Sequence, residues 1–507
     1  MANASRLVRN TMYMYVRMIM IMVVGVYTSR VILEKLGVDD YGIYNAVASV
    51  VAMMGFLNAT LSTSTSRFMT FELGRGNSIK LRQTFSTALF THILLAFIVL
   101  LVMETLGLWY LSNKFVIPPG REWAIFCVFH ISIFTTLVSI CQVPYTASII
   151  AHENMNIYAL VGVFEVMAKL LIVYLLTLSP FDRLVFYALL VAAVQIIVTF
   201  FFFVYSTRRY KETRAFPKLN KKIFQSMFGF TGWTAVANLS GTMMVQGSTV
   251  LMNLFFSPAI IAAKALASQV THAIMQFVNN FRVALNPQII KTYAAGDIEG
   301  SKKLTLRSVI ITFDLLLILG LPFIMTMDTI MELWLVEVPP YAVAFTQVAI
   351  LTQIFGSITS STYIGFLSSG RLRSNAVWGG ITGIVFFVLL YSIYKFGGGV
   401  MWVQYLQLIN VFVWIIILRP KCMCDELAYK RKEIFQCYWD CLKVFFVAVL
   451  GSIILSFILN GSSLWQRAIL FLGSMIISAI SAFLFMEKEL KNVLITIIVD
   501  KIKKIKQ

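Results

Sequence analysis

The sequence predicts an all-α integral membrane protein with about fourteen transmembrane helices. Apolar residues make up 59% of the 507 residues, above the roughly 45–50% that is typical of soluble domains. The mean hydropathy is +0.81, and charged residues account for only 13% of the chain. The charged residues separate apolar stretches of about 20 residues, the length needed to cross about 30 Å of hydrocarbon. Each stretch therefore predicts one membrane span.

The apolar stretches set approximate bounds for the predicted spans. These bounds are 12–34, 41–66, 85–108, 123–148, 157–178, 184–206, 225–252, 259–287, 305–328, 342–368, 377–394, 400–418, 440–459 and 466–486. No cleavable signal peptide is predicted, because the short basic start runs into the first stretch without a small-residue cleavage site.

The cysteines predict neither a disulfide framework nor a metal site. Two of the six lie inside one span, and four lie in or beside a basic loop. Those four form C-x-C followed by C-x3-C, which is not the spacing of structural zinc sites. We therefore expect no bound metal and no cofactor. The four are Cys422, Cys424, Cys437 and Cys441.

The net charge of +19 is distributed between the spans in a way that predicts orientation rather than nucleic-acid binding. Alternate connections are rich in Lys and Arg, and the intervening ones are nearly bare. By the positive-inside rule the rich set is cytoplasmic, and an even number of spans then puts both termini there. The connection AHENMN at 151–156 is the exception, with no Lys or Arg. The rich connections lie at 75–82, 208–222, 291–303, 371–373 and 419–432.

An internal repeat predicts two related halves. The segment Val31–Val51 aligns without gaps on Val250–Val270, an offset of 219 (250 minus 31). Two further matches, GRGNSIKLR with AAGDIEGSKK and GLWYL with ELWLV, follow in the same order. Parallel duplication of a six-helix unit predicts two lobes related by a pseudo-two-fold axis along the membrane normal, with two helices added at the end.

The predicted organisation follows from the repeat and the loops. The tail alternates Ile and Val with Lys, which is typical of a basic amphipathic helix on the inner leaflet; a frayed tail is the alternative. The predicted parts are an N-terminal six-helix lobe at 1–207, a basic cytoplasmic linker at 208–224, a C-terminal six-helix lobe at 225–418, a basic cytoplasmic loop at 419–438, helices thirteen and fourteen at 439–486, and the tail at 487–507.

Polar residues line one face of the predicted eighth span. Lys264 and Arg282 are 18 residues apart (282 minus 264), which is five turns and about 27 Å of rise on one helix face. The seventh span carries a second polar line, and two such stripes predict a water-filled cavity. A buried helix interface is the alternative. Between them the two stripes hold Thr231, Thr234, Asn238, Thr242, Gln246, Thr249, Ser268, Thr271, Asn279 and Asn286.

The first half places its intramembrane charge differently. Arg17 and Arg30 lie in the first span, where they could also snorkel from opposite ends. Glu165 precedes Lys169 by four residues in the fifth span, the favoured order for an intrahelical ion pair. That pair fits either a structural contact between helices or a cavity role.

These intramembrane cations outnumber the one paired acid, which predicts an anionic substrate. The candidate substrate-binding residues are Arg17, Arg30, Lys169, Lys264, Arg282, Asn238, Gln246, Ser268 and Asn279, and Glu165 is the candidate for coupling or ion pairing.

Two sequence motifs resemble a known family. The segments LEKLGVDDYGIYNAV (Leu33–Val47) and FELGRGN (Phe71–Asn77), together with the repeat and the two extra helices, resemble the polysaccharide-export branch of the multidrug/oligosaccharidyl-lipid/polysaccharide exporter (MOP) superfamily. More narrowly, the chain is similar to Wzx-type O-antigen or capsule repeat-unit flippases. The LG-x-x-x-YG element is the most specific part of this resemblance.

The resemblance implies a substrate and a location. The expected substrate is an undecaprenyl-pyrophosphate-linked oligosaccharide, moved from the cytoplasmic to the periplasmic leaflet of the bacterial inner membrane by alternating access through a cationic central cavity. Membrane lipids and other polysaccharide-assembly proteins are the implied partners, and nucleic acid is not. Arginine can hold phosphate through two parallel hydrogen bonds, and Asn, Gln, Ser and Thr could bind sugar hydroxyls.

Three alternative functions predict sequence features that can be compared with this chain. A cation-coupled multidrug exporter of the same superfamily often has an acidic residue in its first span, but the first Glu or Asp here is Glu34. A lipid II flippase is marked by a cluster of arginines across the first two spans and the eighth, but in the second span here no Arg precedes Arg67. A membrane enzyme of polysaccharide assembly should have a large outer loop with catalytic residues. The outer connections are short, so the sequence predicts a transporter rather than an enzyme.

Overall fold

The computed structural model describes residues 20, 23–152, 154–177, 182–459, 463–487 and 491. All regular secondary structure among these residues is helical. The α-helices are α1 (23–36), α2 (Val38–Ala52), α3 (Gly55–Gly74), α4 (Ser78–Val102), α5 (Leu108–Asn113), α6 (Glu122–Ala151), α7 (Met155–Leu176), α8 (Arg183–Arg209), α9 (Lys221–Thr242), α10 (Ser248–Asn253), α11 (Pro258–Ala294), α12 (Ile298–Trp334), α13 (Ala342–Ser369), α14 (Arg373–Lys395), α15 (Trp402–Val413), α16 (Arg419–Leu427), α17 (Arg431–Leu459) and α18 (Leu464–Phe485).

Shorter helical segments join several of these helices. A 3-10 turn covers Lys211–Arg214, and π-helical segments cover Met103–Gly107, Met243–Gly247 and Trp414–Leu418. The π segments join α4 to α5, α9 to α10 and α15 to α16.

The all-α membrane fold is confirmed. In the described part of the chain, 10 helices are long and apolar enough to cross a membrane, or 11 if the bent pair α2 and α3 counts as one span. The ten coincide with predicted spans three to six and nine to fourteen, and the bent pair coincides with the second. Helices α9 to α11 cover the predicted seventh and eighth spans. Most of the predicted first span lies outside the described residues.

Polar caps fix where several helices begin. The Asp182 carboxylate accepts from the amides of the first turn of α8, at 3.0 Å from Leu184 N. The Asn77 and Asn220 side chains cap α4 and α9 in the same way. Such caps satisfy backbone donors that the helix itself leaves free. They explain why these helices begin where polar loop residues meet the apolar stretches.

The LG-x-x-x-YG element contains two glycines with separate structural roles. Gly37 lies between α1 and α2 with φ at 82°, a backbone conformation that favours glycine. Gly42 lies against the start of α11, and a Cβ added there would be 1.9 Å from the Pro258 carbonyl oxygen. The motif therefore encodes one turn and one close helix contact.

The chain forms two compact units. The first comprises 1–269, 334–342 and 372–406, and its core includes Val47 of α2, Val99 of α4 and Phe129 of α6. The second comprises 270–333, 343–371 and 407–507. In the second unit Phe355 packs 5.0 Å from both the Phe412 and Phe445 rings. The two six-helix lobes of the predicted duplication stay a prediction.

Helix α16 extends past the predicted end of the twelfth span. The region predicted as a basic loop, 419–438, is helical at Arg419–Leu427 and again from Arg431. The π segment Trp414–Leu418 carries the apolar helix directly into α16, where Cys422 and Met423 are buried. The basic residues therefore extend existing helices instead of forming a long connection.

An ion-pair cluster in the first unit joins the starts of three helices. Arg121, just before α6, contacts the carboxylates of both Asp40 in α2 and Asp182 before α8. Asp40 is buried, so an arginine that neutralises it also offsets the cost of burying its charge.

The Arg121→Ala variant should lower the free energy of unfolding by about 1–3 kcal/mol, because it leaves two carboxylates without their shared partner. Thermal unfolding of the purified protein measures this effect. Lys35→Ala is the control, since it removes only the exposed pair with Glu34, a kind of contact worth at most about 1 kcal/mol. Equal losses in the two variants would contradict a stabilising role for the cluster.

Candidate functional site

Lys264 in α11 is a buried cation of the first unit, with only 5% of its surface exposed. Its ammonium donates to Ser248 Oγ at 2.5 Å, to Thr249 Oγ1 at 2.8 Å and to the Val245 carbonyl at 3.3 Å. An ammonium has three donors, so these acceptors can satisfy all of them. Lys264 is thus held by neutral oxygens.

A π-helical segment supplies this set of acceptors. Val245 belongs to the segment Met243–Gly247, where the hydrogen-bond register changes from that of an α-helix. Its carbonyl also accepts from the hydroxyls of Ser248 and Thr249, at 2.9 and 3.2 Å. Gln246 is half-buried in the same segment. Such π segments are frequent at functional sites.

Other predicted residues of the first unit have local partners. Asn238 in α9 donates to Thr60 Oγ1 of α3 at 2.9 Å, and Ser268 donates to the Lys264 carbonyl at 3.0 Å. The structure thus brings Lys264, Ser268 and the segment bearing Gln246 together. The side chains of Thr231 and Thr234 lie outside the described part of the chain.

Arg282, on α11 in the second unit, is held by α13. Its guanidinium donates to Ser360 Oγ at 3.2 Å and to the Ser360 carbonyl. It also contacts Asn279 Oδ1 at 3.5 Å. Among the described residues it pairs with no carboxylate. Arg282 and Asn279 are therefore brought together, while Lys264 makes its contacts in the other unit.

The first-half charges have different surroundings. The predicted ion pair is present, with Lys169 Nζ 2.7 Å from Glu165 Oε1, and the Lys169 side chain is 48% exposed. Arg30 is exposed on α1. Arg17 lies outside the described residues.

Sequence reasoning missed three features of the charged residues. Arg419, predicted to lie in a loop, is buried with its guanidinium carbon 5.0 Å from the Trp414 ring centre and 5.3 Å from that of Phe366. Glu104 Oε2 in the π segment after α4 lies 3.5 Å from His130 Nε2 of α6. Asp314 in α12 is buried, and its Oδ1 has no hydrogen-bond partner among the described residues. For Arg419, the only signal in the sequence was the apolar stretch that runs up to it without a break.

The fold is similar to solved structures of membrane transporters. A structure of the lipid II flippase MurJ in an inward closed conformation matches with a TM-score of 0.67 at 12% identity, covering 94% of this chain and 98% of that one. An inward-facing multidrug resistance MATE family transporter of the MOP superfamily matches with a TM-score of 0.65 at 13% identity, over 80% and 94%.

A third structure is that of a MOP superfamily transporter from Pyrococcus furiosus, described as having a binding pocket of reverse polarity. It has a TM-score of 0.57 at 12% identity, over 84% of this chain and 96% of that one. No protein-family model matches the sequence, and no curated protein matches it significantly. At these identities the likeness establishes the fold alone.

Proposed function

We propose that the chain is a lipid-linked oligosaccharide flippase of the MOP superfamily. It would move undecaprenyl-pyrophosphate-linked repeat units by alternating access from the cytoplasmic to the periplasmic leaflet of the bacterial inner membrane. The repeat units would serve O-antigen, capsule or exopolysaccharide synthesis. The process makes and breaks no covalent bond, so the protein would act as a transporter and not as an enzyme.

The observation that carries this proposal is the environment of Arg282. A guanidinium has five N–H donors, and only three of the described hydrogen bonds use them. All three acceptors are neutral oxygens, so the described residues do not cancel the positive charge. An oriented cation whose described contacts leave donors available suits a phosphate group, which arginine can bind through two parallel bonds.

Lys264 supports the same substrate class. Its charge is surrounded by hydroxyl and carbonyl oxygens and by no carboxylate of the described residues. Burying such a charge in a membrane protein is costly and typically marks a substrate or ion path. Neighbouring Gln246 and Ser268 offer amide and hydroxyl groups suited to sugar hydroxyls. An anionic head group with attached sugars fits this mixture of groups.

The fold supports the proposal further. The match to the lipid II flippase covers 94% of this chain, whereas the match to the MATE transporter covers 80%. The two helices that follow the predicted lobes, α17 and α18, are closely packed, with Leu455 of α17 meeting Gly473 of α18 and Ile477 of α18 meeting Gly451 of α17. A lipid-linked substrate could keep its polyprenyl tail in the bilayer while its head group follows the polar groups.

Reconstitution tests the proposal directly. Full-length protein in liposomes should move a fluorescent, short-chain polyprenyl-pyrophosphate oligosaccharide between leaflets, measured as growing access of a membrane-impermeant quencher. Protein-free liposomes and a zwitterionic phospholipid with the same label are the controls. No acceleration of the pyrophosphate lipid over both controls would contradict the flippase.

The rival function is a cation-coupled multidrug exporter. The observation that favours it is Asp314, which is buried and forms no ion pair with the described residues. In the same liposomes, uptake of a cationic dye driven by a proton or sodium gradient, without movement of the pyrophosphate lipid, would support the exporter instead.

Orientation can be tested by cysteine labelling in a cysteine-free background. Exposed positions in the predicted outer connections, Asp39→Cys and Glu122→Cys, should react with an impermeant maleimide on intact cells lacking an outer-membrane barrier. The exposed inner positions Lys218→Cys and Lys430→Cys should react only after permeabilisation. The opposite pattern would overturn the proposed cytoplasmic location of the termini.

A further inference from the structure

The linker between α8 and α9 and the start of α4 line an open cavity of about 970 Å³ within the first unit. Two consecutive hydroxyls of α4 hold the linker in place. Ser86 Oγ donates to the Phe216 carbonyl and accepts from the Lys218 amide at 2.9 Å. Thr87 Oγ1 accepts from the Asn220 amide at 3.2 Å. The cavity is thus built by specific backbone contacts, and we call it the linker pocket.

The linker pocket is lined by unpaired positive charge. Arg82, Lys211, Lys218 and Lys221 all line it, and none of these four side chains forms an ion pair or hydrogen bond with the described residues. The single lining acid, Glu212, is already engaged by His152, whose Nε2 lies 2.6 Å from its Oε1. The pocket therefore keeps a net positive charge that nothing in the described structure neutralises.

Apolar side chains border the same pocket. Ile79, Phe216 and Leu219 line it and are 71%, 88% and 44% exposed. Large apolar groups with such exposure are costly in water, and a cluster of them beside cations fits the membrane interface. The pocket lies at the basic end of α4, which the positive-inside rule places at the cytoplasmic leaflet.

We propose that the linker pocket binds an anionic phospholipid of the inner leaflet. The phosphate would lie among Arg82, Lys211, Lys218 and Lys221, and the glycerol and upper acyl chains would contact Ile79 and Phe216. Basic pockets at the cytoplasmic ends of membrane helices are suited to such head groups. The apolar border distinguishes this ligand from a soluble anion or an acidic peptide, which would leave Phe216 in water.

This site is separate from the proposed transport residues. None of Lys264, Arg282 or Gln246 lines the pocket. Failure of lipid binding would therefore leave the proposed flippase untouched, and failure of flipping would leave the lipid site untouched.

Native mass spectrometry of the full-length protein tests the proposal. The protein is released from mixed micelles containing equal phosphatidylglycerol and phosphatidylcholine, and the retained lipid is counted. The wild type should retain phosphatidylglycerol selectively. The triple variant Lys211→Gln, Lys218→Gln, Lys221→Gln should lose that preference about tenfold or more, since each interfacial cation contributes on the order of fivefold.

A charge-matched control separates a site from general attraction. Lys430→Gln, Arg431→Gln, Lys432→Gln removes the same number of cations from another predicted cytoplasmic segment and should retain the preference. Ala215→Trp, which fills the pocket while keeping every charge, should lose it. Equal losses in both triple variants, or full retention by Ala215→Trp, would overturn the proposal.

Competition identifies the source of the phosphate. Short-chain phosphatidylglycerol should displace the retained lipid at concentrations where inorganic phosphate, at matched ionic strength, does not. Equal displacement by inorganic phosphate would show a soluble-anion site and overturn the lipid assignment. Binding of an acidic peptide that displaces the lipid equally well would do the same.

Discussion

The Arg282→Ala variant should lose flipping of the pyrophosphate lipid by roughly 30-fold or more, since a buried charge contact with a ligand is worth about 2–5 kcal/mol. Arg282 donates to neutral oxygens of Ser360 and Asn279, which orient it and leave donors free. Removing it takes away both charge and geometry. The initial rate of quencher access in liposomes, at equal amounts of reconstituted protein, measures the loss.

Two companion variants show which property of Arg282 matters. Arg282→Lys keeps the charge but not the planar fork, and should recover only part of the rate. Ser360→Ala removes the hydroxyl acceptor but keeps the carbonyl, and should slow transport less than Arg282→Ala. Arg307→Ala, which removes a surface pair with Glu487, is the matched control. A normal rate for Arg282→Ala would exclude this residue from the transport path.

The Lys264→Met variant should lower transport at least about tenfold while leaving the protein as stable as before, because an apolar replacement for a buried charge is often neutral or stabilising. The hydroxyls around Lys264 do not depend on its ammonium for a hydrogen-bond partner. Ser248 and Thr249 both donate to the Val245 carbonyl already, so they keep partners when the ammonium is removed. Transport rate and thermal unfolding of the same preparations measure the two effects.

The combination of results decides between a functional and a structural lysine. Loss of transport with an unchanged melting temperature supports a place in the path. Loss of both together would show that Lys264 chiefly holds α11 to the α9–α10 segment. Lys114→Met, at an exposed lysine of the same unit, is the control. Unchanged transport in Lys264→Met would contradict a role in substrate passage.

Much of the fold could be predicted from the sequence, because span length and hydropathy are properties of the chain itself. The apolar stretches located helices such as α8 and α18 to within three residues at both ends. Other ends were less predictable, and α17 begins nine residues before its predicted span (440 minus 431). Arg419 looked like the start of a basic loop, yet the aromatic rings of Trp414 and Phe366 surround it inside a continuing helix.

The surroundings of the candidate site were less accessible to sequence reasoning. The structure places Lys264 and Arg282 on one helix, α11, as the spacing predicted, and their position inside the membrane stays a prediction. Periodicity could not reveal that Lys264 is satisfied by a π segment, because a change of hydrogen-bond register leaves no mark in composition. It also could not pair Glu104 with His130, since that contact depends on how α6 packs.

The acceptors of Lys264 also bear on how the chain enters the bilayer during synthesis. A lysine in a membrane span adds to the cost of insertion, by up to about 2.5–3.5 kcal/mol at the helix centre on translocon scales. Its partners precede it by only 15, 16 and 19 residues, so they have left the ribosome before it does. The α10–α11 hairpin can thus satisfy its own charge as it partitions into lipid. Biogenesis of this helix pair need not wait for the C-terminal half of the protein.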